Sequence, residues 1–280
     1  MKLSIITVNY NDIEGLKKTI NSVISQTFHD YEWIIIDGGS ADGGKELIEQ
    51  YQQHFTYWCS EPDSGIYNAM NKGIAHAKGE YINFMNSGDV YASPHTLSDV
   101  FSDNHQEDLL YGDWIYVYDS HEERISFSID KLYTEFVRKN ICHQALFIRT
   151  SLLKKKGYDE TISVLADYAR NVELAHSGAS FKYFPFVICR CSMPGFSNIE
   201  ENEDRRKQDK ERIRQLYPQW VLPLVEELDV YRRHRHVQYT VSLVDGRCRL
   251  FSFLTKAYLK TMYSMLKLFN CLKNYFRKFG

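Results

Sequence analysis

Long apolar runs are missing from these 280 residues. No stretch approaches the ~18 apolar residues that a membrane-spanning helix needs, and the opening MKLSIITV is too short for a signal-peptide core. The six cysteines form no Cys-x-x-Cys pair and no disulfide framework, so they read as reduced thiols of a cytoplasmic protein. Arginine is absent from residues 1–100, where six lysines face thirteen acids for a charge of −7. Phosphate-backbone binding needs clustered cations, which argues against nucleic acid as a ligand there. His-Glu-x-x-His, zinc-ligand spacings, a Gly-x-Ser-x-Gly elbow and Gly-x-Gly-x-x-Gly are missing too. GSADGGKE (39–46) nearly spells a P-loop. Glu46 stands where the magnesium-binding hydroxyl belongs, so the segment reads as a glycine-rich turn.

What is present suffices for a globular core: 44% hydrophobic and 25% charged residues. The first half alternates apolar runs with helical periodicity, the pattern of an α/β fold. Strands are expected at 3–8, 32–39 and 80–85, with an extended segment at 57–63 and a helix at 65–77. Each strand finishes in a polar residue: Asn9, Asp37, Asp63 and Asp89. Ligands of open parallel sheets sit outside the carboxyl ends of the strands, so these four side chains should line one crevice. Carboxylates there can hold a hard divalent cation, and the cation can neutralise a diphosphate. By residue chemistry alone this reaches metal-assisted transfer from a nucleotide-activated donor. Cys189 and Cys191 alternate on a strand and read as packing. The charged stretch from Asn198 to Leu216 reads as a solvated helix.

The segments IITVNYND, WIIIDGGSADGG, residues 60–89 nearly throughout, HQALFIR and LADY, in that order, resemble the inverting family 2 glycosyltransferases. The likeness is strongest to the bacterial exopolysaccharide and O-antigen (colanic-acid type) branch. It implies a GT-A fold over 1–197, with a nucleotide-sugar-binding half (1–112) and an acceptor-binding half (113–197), followed by a helical extension (198–280). It also implies that Val8, Asn9, Asp37, Asp63, Asn86 and Ser87 contact the nucleotide sugar, a UDP-sugar by default. Asp89 would ligate Mg²⁺ or Mn²⁺, Asp167 would be the catalytic base, and His143 and Gln144 would lie near the acceptor, a glycan or lipid-linked glycan. Asn86, Ser87 and Gly88 precede Asp89 where many relatives carry further acids, so the nucleotide phosphates should complete the shell of the ion.

Residues 247–280 hold eight Lys/Arg and no acid, interleaved with Phe, Leu, Tyr and Met. Such a helix suits an anionic membrane surface, placing the protein at the inner face of the cytoplasmic membrane; packing on the domain or in an oligomer is the other reading. Two rival functions are a GT-A-like protein that binds nucleotide or glycan without turnover, and a nucleotidyltransferase. The latter would need a basic, glycine-rich triphosphate loop that the acidic first hundred residues do not offer.

Overall fold

The computed structural model describes residues 1–126, 140–193, 195 and 199–217. The basic segment 247–280 and most of the C-terminal extension lie outside the described residues. Among the described residues, no helix is long and apolar enough to cross a membrane.

The first half alternates strand and helix: β1 (Leu3–Asn9), α1 (Ile13–Ile24), β2 (Tyr31–Asp37), α2 (Gly44–Tyr51), β3 (Tyr57–Ser60), α3 (Ile66–His76) and β4 (Tyr81–Phe84). The strands β3, β2, β1 and β4 lie side by side in that order and all run parallel. A parallel sheet covered by helices leaves neither face to water. The sequences LSIITVN and YEWIIID meet that demand, for every residue of β1 and all but the first of β2 are buried. Each fully buried Ile in them contributes about 1.5–3 kcal/mol over an exposed one.

Helix α1 offers the sheet Leu16, Thr19, Ile20 and Val23, a stripe at helical spacing, and Asp12 caps it by accepting from Gly15 N at 3.0 Å. Helix α3 approaches β1 so closely that a Cβ on Gly73 would meet Ile6 Cγ2 at 2.5 Å, which only glycine permits. Behind the sheet, the buried Glu32 carboxylate accepts from Ser4 Oγ at 2.6 Å and Gly79 N at 3.0 Å. It thereby ties the turn before β4 to β1 and β2.

The chain continues through β5 (Val90–Tyr91), α4 (Thr96–Val100), β6 (Leu109–Val117) and β7 (Glu122–Ile125). After a 3₁₀ turn at His143–Ala145 come β8 (Leu146–Arg149), α5 (Thr150–Lys155), α6 (Ala166–His176), β9 (Phe181–Ser192) and α7 (Glu203–Arg214). Strand β8 joins the two halves, pairing antiparallel with β4 on one side and β6 on the other. The second half is therefore mixed: β9 runs parallel to β6 with a bulge at Gly112–Asp113, while β5 pairs antiparallel with β9 and β7 antiparallel with β6. Among the described residues the nine strands form one sheet.

Two expectations are corrected. Asp63 and Asp89 do not end strands, since β3 stops at Ser60 and β4 at Phe84; both acids sit in the loops that follow. Helix α7 is more than a solvated face. Its buried Asp209 accepts from Val164 N at 2.8 Å and Leu165 N at 3.2 Å, fixing the start of α6.

Candidate active site

A cavity of about 1100 Å³ opens where the carboxyl ends of β1–β4 meet the second half, with Val8, Asn9, Asp63, Asp89, His143 and Asp167 in its wall. It lies at the upper end of the roughly 300–1,000 Å³ typical of small-ligand sites.

One wall is a hydrogen-bond web at the strand ends. Asp37 Oδ1 accepts from Asn9 Nδ2 at 2.6 Å and Ser40 Oγ at 2.5 Å, and its Oδ2 from Ser60 Oγ at 2.6 Å and Ser40 N at 2.9 Å. Burial works to raise the Asp37 pKa, but the Ser40, Ser60 and Asn9 donors outweigh it and hold the group below the ordinary carboxylate range. Asp37, expected at the nucleotide, is fully buried, and its two oxygens take four hydrogen bonds from within the protein. Its work is to fix Asn9, whose Oδ1 in turn accepts from Ser87 Oγ at 2.6 Å.

The loop Asn86–Asp89 extends the line of β4 beside β1, with Ser87 N donating to Val8 O at 3.1 Å. Gly88 turns it at φ +89°, a left-handed conformation that favours glycine. Thr19 Oγ1 on α1 lies 3.0 Å from Asn86 O and 2.8 Å from Asp89 O, and Ser192 Oγ on β9 donates to Gly88 O at 3.0 Å. The Asp89 carboxylate is buried and accepts from Gln144 Nε2. Burial pushes its pKa up to about 7 despite that bond. Asn86 Oδ1 is buried and has no partner.

The opposite wall is built from the second half. Asp167, in the first turn of α6, is buried on the cavity side. Its Oδ2 accepts from Asn140 Nδ2 at 2.5 Å and faces His143 Nδ1 at 3.4 Å. The far ring nitrogen of His143 lies 2.9 Å from Asn86 Nδ2, so the imidazole spans both walls. Burial works to raise the Asp167 pKa, but His143 and Tyr67 outweigh it and the pKa is lowered; burial disfavours charge on His143, but Asp167 raises its pKa. With its Nε2 facing the Asn86 amide N–H, the imidazole is placed to donate from Nδ1 to Asp167. Tyr67 on α3 places its hydroxyl 2.8 Å from Asp167 Oδ1 and 2.7 Å from Val164 O, one hydrogen between two acceptors. Gln144, expected at the acceptor, spends its amide on Asp89 and on Cys142, whose Sγ donates to Gln144 Oε1 at 2.7 Å.

Sequence reading missed Tyr67, Asn140 and the cations Arg205, Arg206 and Lys210, which α7 brings to the cavity of an otherwise acidic site. Helical spacing, which sets Arg206 and Lys210 one turn apart, was the available signal for the cations. No local signal marks Tyr67, which stands 100 residues from its partner.

The Glycosyl transferase family 2 model matches residues 4–162. An uncharacterized glycosyltransferase of Mycobacterium tuberculosis is 36% identical over 173 residues, covering 59% of this chain and 65% of that protein. A PGL/p-HBAD biosynthesis glycosyltransferase of Mycobacterium bovis is 32% identical over 192 residues, 66% of this chain and 74% of the relative. The fold resembles Staphylococcus aureus TarS 1–349 in complex with UDP-GlcNAc (TM-score 0.59, 18% identity, 77% of this chain and 66% of that one). It also resembles the Pyrobaculum calidifontis mannosyltransferase PcManGT in complex with GDP-Man and Mn²⁺ (TM-score 0.61, 15% identity, 94% and 80%). The mixed sheet with its covering helices is thus of GT-A type, and the chain belongs to glycosyl transferase family 2.

Proposed function

We propose that this protein transfers a sugar from a nucleotide diphosphate donor to a hydroxyl of a glycan or lipid-linked glycan, with inversion, in the assembly of a surface polysaccharide or glycolipid. The observation that carries the reading is that Asp89, in the loop after β4, and Asp167, in the first turn of α6, line one cavity. Donors bound by the structural neighbours, UDP-GlcNAc and GDP-Man, support a nucleotide sugar, with a UDP-sugar as first choice.

Asp167 is assigned as general base. When Oδ1 takes the proton of the acceptor hydroxyl, Tyr67 turns its own hydrogen to Val164 O and accepts the new one, leaving no buried group unpaired. The deprotonated oxygen attacks the anomeric carbon in line and the nucleoside diphosphate departs, so a single displacement inverts the configuration. Asn140 and His143 hold Asp167 in place throughout.

The Asp89 carboxylate and the orphaned Asn86 Oδ1 are hard oxygen donors that fit Mg²⁺ or Mn²⁺. Bound there, such an ion supplies charge neutralisation for the departing diphosphate. Arg205, Arg206 and Lys210 add cationic charge at the same cavity. Residues 247–280 are assigned to the anionic membrane surface where a lipid-linked acceptor would reside.

A protein that binds nucleotide without turnover is the second reading, favoured by the single acid in Asn86–Asp89. One experiment separates them: UDP-, GDP- and dTDP-sugars are screened with Mn²⁺ by thermal shift, and the best donor is then assayed for nucleotide release with a glycan-lipid acceptor. Stabilisation with acceptor-dependent release is expected; stabilisation without release supports the second reading, and no stabilisation by any donor defeats both.

A further inference from the structure

We propose that Cys142, Cys189 and Cys191 form a binding site for one thiophilic divalent cation of the zinc class, set into the cavity wall beside Asp89. Cys189 and Cys191 alternate on β9 and so share a face. Cys142 immediately precedes the 3₁₀ turn His143–Ala145. The three sulfurs lie within 4.8 Å of one another, with Cys142 Sγ and Cys191 Sγ at 3.5 Å and Cys189 Sγ and Cys191 Sγ at 3.7 Å. Zinc–sulfur bonds of ~2.3 Å in tetrahedral array separate neighbouring sulfurs by about 3.8 Å. Two of the three pairs already stand near that spacing, although residues from two distant parts of the chain supply them.

The chemistry balances without an oxidant. Three thiols release three protons to bind one dication, leaving a site of net charge −1 with its fourth position free. Cys142 and Cys191 line the cavity, so a water or a substrate atom can take that position, as in zinc sites that stay open. The site is separate from the oxygen-rich one at Asp89 because soft thiolates select zinc-class ions while carboxylate and amide oxygens select Mg²⁺ or Mn²⁺.

The two are nevertheless coupled through Gln144. Its Oε1 accepts from Cys142 Sγ, and its Nε2 donates to Asp89. Metal binding takes the Cys142 proton, removes the donor facing Gln144 Oε1, and is thereby felt at the residue that holds Asp89. Thiols that only fill space would bind no cation and transmit nothing.

The full chain, freed of metal by a chelator under reducing conditions, is titrated with Zn²⁺ against a competing chromophoric chelator. Thiols reactive toward an aromatic disulfide reagent are counted with and without zinc. One zinc per chain is expected, with three of the six thiols protected, and a thiolate-to-metal charge-transfer band when Co²⁺ replaces zinc. Cys191→Ser should weaken zinc binding by at least about 100-fold, the upper end of what loss of a mere outer-shell partner costs. Cys59→Ser, outside the cluster, should leave it unchanged. If Cys191→Ser does not fold, the wild-type thiol count and the cobalt band decide. Equal thiol reactivity with and without zinc, or unchanged affinity in a folded Cys191→Ser protein, overturns the site.

Discussion

The two walls of the cavity solve opposite problems. The wall at the ends of β1 and β2 surrounds one carboxylate, Asp37, with donors that carry no charge of their own: Ser40, Ser60 and Asn9. Its protonation state is fixed, and so is the orientation of Asn9. The wall at α6 gathers Asp167, His143 and Tyr67, groups whose protons lie in one another's field. Rigidity on one side and movable protons on the other fit the proposed donor-binding surface and the proposed base, respectively. A wall that only positions a ligand gains from having every bond made. A wall that handles a proton needs a spare acceptor, which Val164 O provides.

The sharpest test of this division is Asp167→Asn. It should cut kcat by roughly 10²–10⁴, the range for loss of a general base, while the donor Kd measured by calorimetry stays at the wild-type value. Near-normal turnover would end the assignment. Asp37→Ala should act in the reverse sense. It strands buried donors and should cost about 1–3 kcal/mol of stability in urea unfolding, with weaker donor binding because Asn9 loses its anchor. Unchanged stability together with weakened donor binding would instead give Asp37 a direct ligand role. The smallest effect concerns pH. Asp89 must be ionised to hold a cation, and burial has raised its pKa to about 7. Mn²⁺-dependent nucleotide affinity should therefore be level above pH 7 and fall as pH drops below it, by at most about tenfold per unit. A flat profile between pH 6 and 7 would remove Asp89 from the cation site.

The wall at the strand ends was largely legible in the sequence. Continuous apolar runs mark parallel strands, and the polar residue closing each run marks the sheet edge where ligands bind, which places Asn9 within one side chain of the cavity. The same logic does not report that Asp37 is buried with both oxygens taken by neighbouring donors. On the α6 wall only Asp167 and His143 were singled out, through resemblance, and both line the cavity. Tyr67 and Asn140 reach Asp167 from other elements, and neither periodicity nor spacing reports such contacts. The cysteines illustrate the same blindness. Positions 189 and 191 on one strand look like packing until Cys142 arrives beside them.

The parallel pairing of β1 with β2 and β4 carries a consequence in time. Asn9 meets Asp37 across 28 residues, and Leu3 pairs with Tyr81 only after α1, β2, α2, β3 and α3 have been threaded between them. Parallel pairing of this span is slow, because loop closure must precede any reward in contacts. On the ribosome, where N-terminal portions fold first, the strand-end web can close once β4 has emerged, while Asp167 and Gln144 are still to be made. The nascent chain thus acquires the strand-end web before it acquires either Asp167 or the residue that holds Asp89.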